Sequence, residues 1–220
     1  MVNLFAVFDP VAFWGLSLNW VSIFFGVLFI PMVYWFVPSR WYKMCGSVFN
    51  GVGLEVSSVF SSKWGGVVFL LCCLFSFIFF NNFLGLFPYV FTASSHVLFT
   101  LCLALPIWMS LMIFGWLNKS VMMFAHLVPV GTPTMLMGFM VCIESVSNII
   151  RPITLSVRLA ANMIAGHLLI VLMGSVISGN FFIILVGMIG LSLLLVLELA
   201  VAFIQAYVFT VLSALYVAEI

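Results

Sequence analysis

This sequence has very few charged residues. Charged side chains make up 5% of its 220 residues, and the net charge at pH 7 is +1. That balance provides no basic surface, so we expect no nucleic-acid partner. Hydrophobic residues make up 66% of the chain, more than a soluble core of this length requires. The apolar residues form long continuous runs, which favours membrane-spanning helices over a barrel. We therefore expect an all-α integral membrane protein that forms one membrane domain over residues 1–220.

The sequence also lacks the patterns of several other kinds of site. Its five cysteines have neither CxxC nor Cys/His metal-ligand spacing, so no metal and no cofactor is expected. The phosphate-binding pattern GxxxxGK[ST] is missing, so the chain is not expected to bind nucleotide itself. The N-terminal stretch has no basic region ahead of its apolar residues, so we expect the first apolar segment to be retained.

The long apolar runs predict about five transmembrane helices, since about 20 helical residues cross a bilayer. Gly85 and Pro88 interrupt a run too long for one span. The domain divides into a first span with an interfacial segment at 1–63, a helical hairpin at 64–118 and a second hairpin at 119–220. The predicted spans lie at about 12–36, 66–84, 96–117, 134–174 and 181–218.

The last two predicted spans are too long to stand upright. A helix over 181–218 is about 57 Å long, whereas the hydrocarbon core is about 30 Å thick. We therefore expect a strongly tilted or bent hairpin. Residues 40–63 mix Trp, Tyr and Lys with small polar residues, a composition typical of either an interfacial helix or a plain loop.

The distribution of Lys and Arg predicts the orientation of the chain. Arg40, Lys43 and Lys63 follow the first span, and Lys119 follows the third. Because basic loops face the inside, we expect the N-terminus outside and the C-terminus inside.

The stretch RPITLSVRLAANMIAGHLL, from Arg151 to Leu169, places charges within an apolar run. A charge at the bilayer centre costs about 2.5–3.5 kcal/mol, so each needs a partner or a function. Glu144, Arg151 and Arg158 are seven residues apart, and seven residues return to nearly the same helix face. Asn162 continues this stripe.

The remaining polar groups of the two long helices lie at different depths. His167 is nine residues beyond Arg158, or about 13 Å further outward and on the opposite face. On the last helix Glu198 lies toward the outside, Gln205 near the middle and Glu219 at the inner end. Titratable groups therefore approach from both sides, with an arginine between them that stays protonated at physiological pH.

Structural alternatives exist for each of these residues. Arg158 could form a structural ion pair with Glu144 or Glu198, and Arg151 could extend its charge to the inner interface. His167 could be a satisfied core histidine, and Asn162 and Gln205 could simply join two helices. Glu144 and Glu219 could be solvated surface acids.

The sequence from Ala125 to Ile170 and from Leu197 to Ile220 resembles subunit a of the F-type ATP synthase in its mitochondrial form. The run RPxxLxxRLxANxxAGHLL is the most specific match, and LFAVFDP and NNFLGLFPY are similar to the same family. The resemblance is weakest at about 11–75.

The resemblance implies a stator subunit of the mitochondrial inner membrane. It would face a ring of c subunits and contact the peripheral stalk and other membrane subunits, with its N-terminus toward the intermembrane space. Arg158 corresponds to the essential arginine, and Asn162 and Gln205 to its polar partners. His167 and Glu198 correspond to the outer proton half-channel, where bacterial relatives exchange the two residue types. Glu144 and Glu219 correspond to the inner half-channel, and no essential role is implied for Arg151.

Two other functions fit the same residues. A stand-alone proton or cation antiporter also needs intramembrane acids, but the sequence has no inverted repeat. A purely structural membrane subunit would tolerate polar substitutions at Arg158 and Glu198.

Overall fold

The computed structural model describes residues 4–11, 15–31, 36–60, 65–87, 89–128, 134–176 and 181–219. Within these ranges all regular structure is helical, which confirms the all-α prediction. Short 3₁₀ turns lie at Leu4–Phe8, Leu18–Val21, Ala93–Ser95 and Thr134–Leu136. The α-helices are α1 (Ser22–Leu28), α2 (Arg40–Val59), α3 (Gly65–Gly85), α4 (Val97–Asn118), α5 (Ser120–His126), α6 (Met137–Val176) and α7 (Phe181–Glu219).

Among the described residues, four helices are long and apolar enough to cross a membrane: α3, α4, α6 and α7. Their ends fall within three residues of the last four predicted spans. The helices α6 and α7 have 40 and 39 residues, so each is about 60 Å long. Each is therefore about twice as long as the hydrocarbon core is thick, and the pair must be strongly tilted or extend beyond the core.

The predicted first span at 12–36 is wrong as a continuous crossing helix. Residues 12–14 and 32–35 lie outside the described part of the chain, and the rest is helical only over Leu18–Leu28. Eleven residues extend about 17 Å, too little to cross. The helix stops shortly before Pro31, as expected because a residue that precedes proline disfavours helical backbone.

Residues 40–59 form a helix, which excludes the plain loop over that range, and the interfacial position of this helix stays a prediction. Ser39 caps α2 by accepting a hydrogen bond from the Tyr42 backbone N–H at 3.2 Å. The buried side chains Cys45, Val52 and Val56 share one face. This face packs against α3 and α7.

The centre of the bundle is α3, which packs against α7, α2 and α1, while α4 packs against α6. Phe75 and Ile78 of α3 are buried against Leu159 of α6 and Phe209 of α7. Apolar burial drives helix association weakly in a membrane, so close contact of small residues matters more. Ala202 and Ala206 supply such a contact surface on α7, since both are buried and lie one turn apart.

The N-terminal half of α7 is largely uncovered by the rest of the described chain. Met188, Leu193 and Val196 are each at least 60% exposed. A surface this apolar suits lipid or a partner protein and not water.

Candidate functional site

The α6–α7 hairpin joins two predicted polar residues directly. The Asn162 side-chain amide donates a hydrogen bond to Oε1 of Gln205 at 3.0 Å. Gln205 is buried, and its own Nε2 has no partner among the described residues. The bond fixes the register of α6 against α7 near the middle of both helices.

Glu198 is buried between α6 and α7 at 3% exposure. Its carboxylate packs against Gly166, where an added Cβ atom would overlap it. Neither carboxylate oxygen has a hydrogen-bond partner within the described ranges. An acid buried in this way is costly as a structural element, so its position indicates a function.

His167 directly follows Gly166, so it lies at about the same depth along α6 as the Glu198 carboxylate. Its ring is partly buried, and its Nε2 is buried without a partner in the described part of the chain. The ring of Phe8 meets the imidazole edge-on, with centroids 6.4 Å apart. The N-terminal turn thus covers this end of α6. The alternative of a fully satisfied core histidine receives no support.

Arg158 lies one turn before Asn162, and its side chain is exposed. No described carboxylate lies within ion-pair distance of it, which argues against a structural ion pair with Glu144 or Glu198. The guanidinium is therefore presented on the surface of the hairpin.

Glu144 pairs with Arg151 on the same helix, with Oε1 and Nη2 3.7 Å apart. Arg151 also lies over the ring of Tyr216 on α7, 5.1 Å from its centroid. These contacts favour a structural role for Arg151. Glu219 is the last residue of α7, but its side chain lies outside the described part of the structure, so its pairing with Glu144 stays a prediction.

The structure also contains a group of buried polar side chains between α3 and α4 that was not predicted from the sequence, where NNFLGLFPY indicated a helix break and a family resemblance but no polar site. We name it the outer polar cluster, because the predicted orientation would place it toward the outside; its members are Asn82, Thr92, Ser94, Ser95, His96 and Thr100. Both amide atoms of Asn82, Oγ of Ser94 and Nε2 of His96 are buried without partners among the described residues. Paired asparagines and a TASSH run within apolar sequence were the available signal.

The outer polar cluster is adjacent to α6 at the level of the buried acid. A Cβ atom added to Gly85 would meet Thr92 Cγ2 at 2.9 Å and Met163 Cε at 3.7 Å. Met163 lies between Asn162 and Gly166 on α6. The cluster and the Glu198–His167 pair are therefore separated by about one helical turn of α6.

The arrangement brings together groups that can exchange protons. No group of three or more His, Cys, Asp or Glu residues that could hold a metal occurs among the described residues. Protonatable or hydrogen-bonding groups line the interior toward one end of the hairpin. An exposed arginine, which cannot lose its proton at physiological pH, lies beyond them.

Comparison with known proteins gives matches over nearly the whole chain. A family model described as ATP synthase A chain matches residues 13–218. ATP synthase subunit a of Drosophila simulans is 53% identical over 226 residues, covering 100% of this chain and 99% of the relative. ATP synthase subunit a of Anopheles gambiae is 51% identical over 224 residues, with the same coverage of both chains.

Proposed function

Because the chain belongs to the ATP synthase A chain family, we propose that it is the stator subunit of a proton-translocating rotary ATP synthase in the mitochondrial inner membrane. It provides two offset proton half-channels to carboxylates on a ring of c subunits, and Arg158 separates them. The peripheral stalk and other membrane subunits hold it against the ring. ATP chemistry takes place in other subunits.

The observation that carries this proposal is the position of three groups on one hairpin. Glu198 is buried against Gly166, Asn162 and Gln205 join the helices one turn further along, and Arg158 is exposed beyond them. A proton acceptor inside the bundle and a fixed positive charge on its surface are thus about 12 Å apart along α6. A purely structural subunit has no need of a buried acid without a partner.

In the outer half-channel, a proton passes Glu198 and His167 to a carboxylate on the ring. The outer polar cluster borders this route and supplies amide, hydroxyl and imidazole groups that hydrogen-bond along it. The neutralised ring carboxyl can then face lipid, where a charged one would be costly.

Arg158 serves as the barrier between the half-channels. Its permanent positive charge attracts a deprotonated ring carboxylate and repels a proton that moves directly from one half-channel to the other. The exposed position on the hairpin surface suits contact with a neighbouring ring.

In the inner half-channel, Glu144 and Glu219 receive the proton after the ring has turned. Each charge that crosses the membrane contributes about 2.3 kcal/mol per 100 mV of potential. This free energy drives rotation in the direction of ATP synthesis.

Sidedness of access tests the proposal. Single cysteines at Glu198, His167 and Glu144 are introduced into the assembled complex in a background without the five native cysteines. We expect a membrane-impermeant thiol reagent to label the first two positions from the outside and Glu144→Cys from the inside. Leu193→Cys is the control, since its exposed apolar site on α7 should react from neither side. Labelling of Glu198→Cys from the inside would overturn the proposal.

A further inference from the structure

A cavity of about 720 Å³ lies between the C-terminal half of α4 and the N-terminal half of α6. It is separate from the Glu198–His167 pair, which lies near the opposite end of α6. Ile113 of α4 lines the cavity and is 54% exposed. Because α4 is long and apolar enough to cross a membrane, we expect lipid to reach the cavity on this side.

The two main walls of the cavity differ in chemistry. On α4, Trp108, Met112 and Trp116 are each four residues apart and form one apolar stripe. On α6, Glu144, Asn148 and Arg151 form a polar stripe at helical spacing. A ligand that fills the cavity must therefore be apolar on one side and charged or polar on the other.

The polar wall carries one charge of each sign. The Glu144 and Arg151 charges are 3.7 Å apart, and their side chains are 38% and 30% exposed. Both therefore present surface to a ligand while they remain close to each other. The carbonyl of Asn148 adds an acceptor, because Pro152 has no N–H to donate to it within the helix.

The volume of the cavity favours a lipid chain over a helix of a partner protein. A helix of about 10 Å diameter would have only about 9 Å of its length, or roughly six residues, inside 720 Å³. A membrane-crossing helix needs about 20 residues, so the cavity cannot enclose such a helix and could admit only some of its side chains. A flexible acyl chain with a headgroup fits within the cavity, along the apolar stripe of α4.

We propose that this cavity binds one phospholipid with a primary-ammonium headgroup, a phosphatidylethanolamine. Its phosphate contacts Arg151, its ammonium donates hydrogen bonds to Glu144 and the Asn148 carbonyl, and an acyl chain lies against Trp116, Met112 and Trp108. An anionic headgroup would place additional negative charge beside Glu144. A choline headgroup has no N–H to donate.

The polar groups of the cavity lie toward the helix ends, where a lipid headgroup would be. Lys119 directly follows α4, so Trp116 lies about one turn from a polar helix junction. Arg151 extends toward Glu144 and hence toward the same end. The headgroup therefore lies near the membrane surface and the chain points toward the membrane interior. The site shares Glu144 with the proposed inner half-channel, but the lipid assignment is argued from the cavity alone, and its tests measure bound lipid and not proton transport.

The first experiment fills the cavity. The assembled complex is purified in detergent, exchanged into phosphatidylethanolamine-containing micelles, and its bound lipid is counted by mass spectrometry after extraction. Ile113→Trp introduces bulk at the cavity wall, whereas the matched control Ile189→Trp introduces it on the exposed surface of α7, where Ile189 is 57% exposed. We expect Ile113→Trp to lose one bound phosphatidylethanolamine per complex and Ile189→Trp to lose none. Equal lipid content in the two variants would overturn the proposal.

The second experiment uses the unaltered complex, so it does not depend on how a variant assembles. Phosphatidylethanolamine with a photoreactive acyl chain is added, and labelled peptides are mapped. We expect labelling of α4 between Trp108 and Trp116 to exceed that of the N-terminal half of α7 by about tenfold. A phosphatidylglycerol with the same chain should compete about tenfold less well than unlabelled phosphatidylethanolamine, equivalent to about 1.4 kcal/mol. Uniform labelling, or equal competition by the two lipids, would contradict the assignment.

Discussion

Gly166 of α6 and Glu198 of α7 are in such close contact that the glycine position has no room for a side chain: an added Cβ atom would overlap the carboxylate. The group that collides is the flexible end of Glu198 and not the backbone. A larger residue at this position would therefore displace the carboxyl group while the two helices stay packed.

Gly166→Ala should thus reduce ATP-driven proton transport by about tenfold to a hundredfold, because small displacements of a reacting group have effects of this size. Alanine favours helix more than glycine does, so a weakened helix would not explain the loss. Gly174→Ala is the control, since nothing lies within 4 Å of a Cβ atom there. Vesicle acidification is the measurement, and normal rates in Gly166→Ala would show that the carboxyl position is unimportant.

The Asn162–Gln205 hydrogen bond should couple the two helices functionally. Asn162→Leu or Gln205→Leu leaves a polar group without its partner, at a cost of about 0.6 kcal/mol, or roughly threefold in rate. The double variant removes both groups and should transport protons no more slowly than the slower single variant. Fully additive losses would mean that the two residues act independently.

The helices of this chain were far more predictable than its site. The length of the apolar runs located α3, α4, α6 and α7 to within three residues. Length alone failed for residues 12–36, because it does not register the local effect of Pro31 on the helix. Helical spacing correctly placed Glu144 and Arg151 on one face, and the structure shows them in contact.

The spacing of residues along one helix could not predict which residues of two helices are in contact. The tight approach of Gly166 to Glu198 depends on how α6 crosses α7, which no periodicity within one helix specifies. Asn82 was missed for a similar reason. Asparagine and serine often hydrogen-bond between transmembrane helices in a purely structural role, and only the packed bundle reveals that Asn82 is fully buried without a partner among the described residues.

Asn82 and its neighbour Asn81 provide a matched test of the outer polar cluster. Asn81 is satisfied locally, because its amide donates to the Phe77 carbonyl at 3.0 Å. Both amide atoms of Asn82 lack partners among the described residues. Asn82→Leu should slow proton uptake from the outer side by about tenfold, as expected from the loss of about 1.4 kcal/mol of hydrogen bonding along the route. Asn81→Leu should leave uptake within about twofold. Equal effects of the two substitutions would remove the cluster from the path.

His167 and Glu198 should function as one proton-exchanging pair. Groups that interact closely titrate together, so Glu198→Gln should lower proton uptake and change its pH dependence across about pH 5–9, a range around the reference pKa of histidine. The exchanged variant His167→Glu with Glu198→His should recover part of the lost uptake. If His167→Glu alone and Glu198→His alone both match the unaltered complex at every pH, the two residues have only a structural role.

The central claim is that Arg158 separates two half-channels, and a pair of lysine substitutions on one helix tests it most directly. Arg158→Lys replaces the planar guanidinium with a flexible ammonium that can lose its proton. Arg151→Lys keeps a cation beside Glu144 and Tyr216, where the structure shows an ion pair and a ring contact. Both complexes are reconstituted into vesicles, and ATP-driven acidification and passive proton leak are measured together. We predict that Arg158→Lys loses coupled transport by about a hundredfold or more, a loss of about 2.7 kcal/mol, while Arg151→Lys retains most of it. Coupled transport at the unaltered rate in Arg158→Lys would contradict the account.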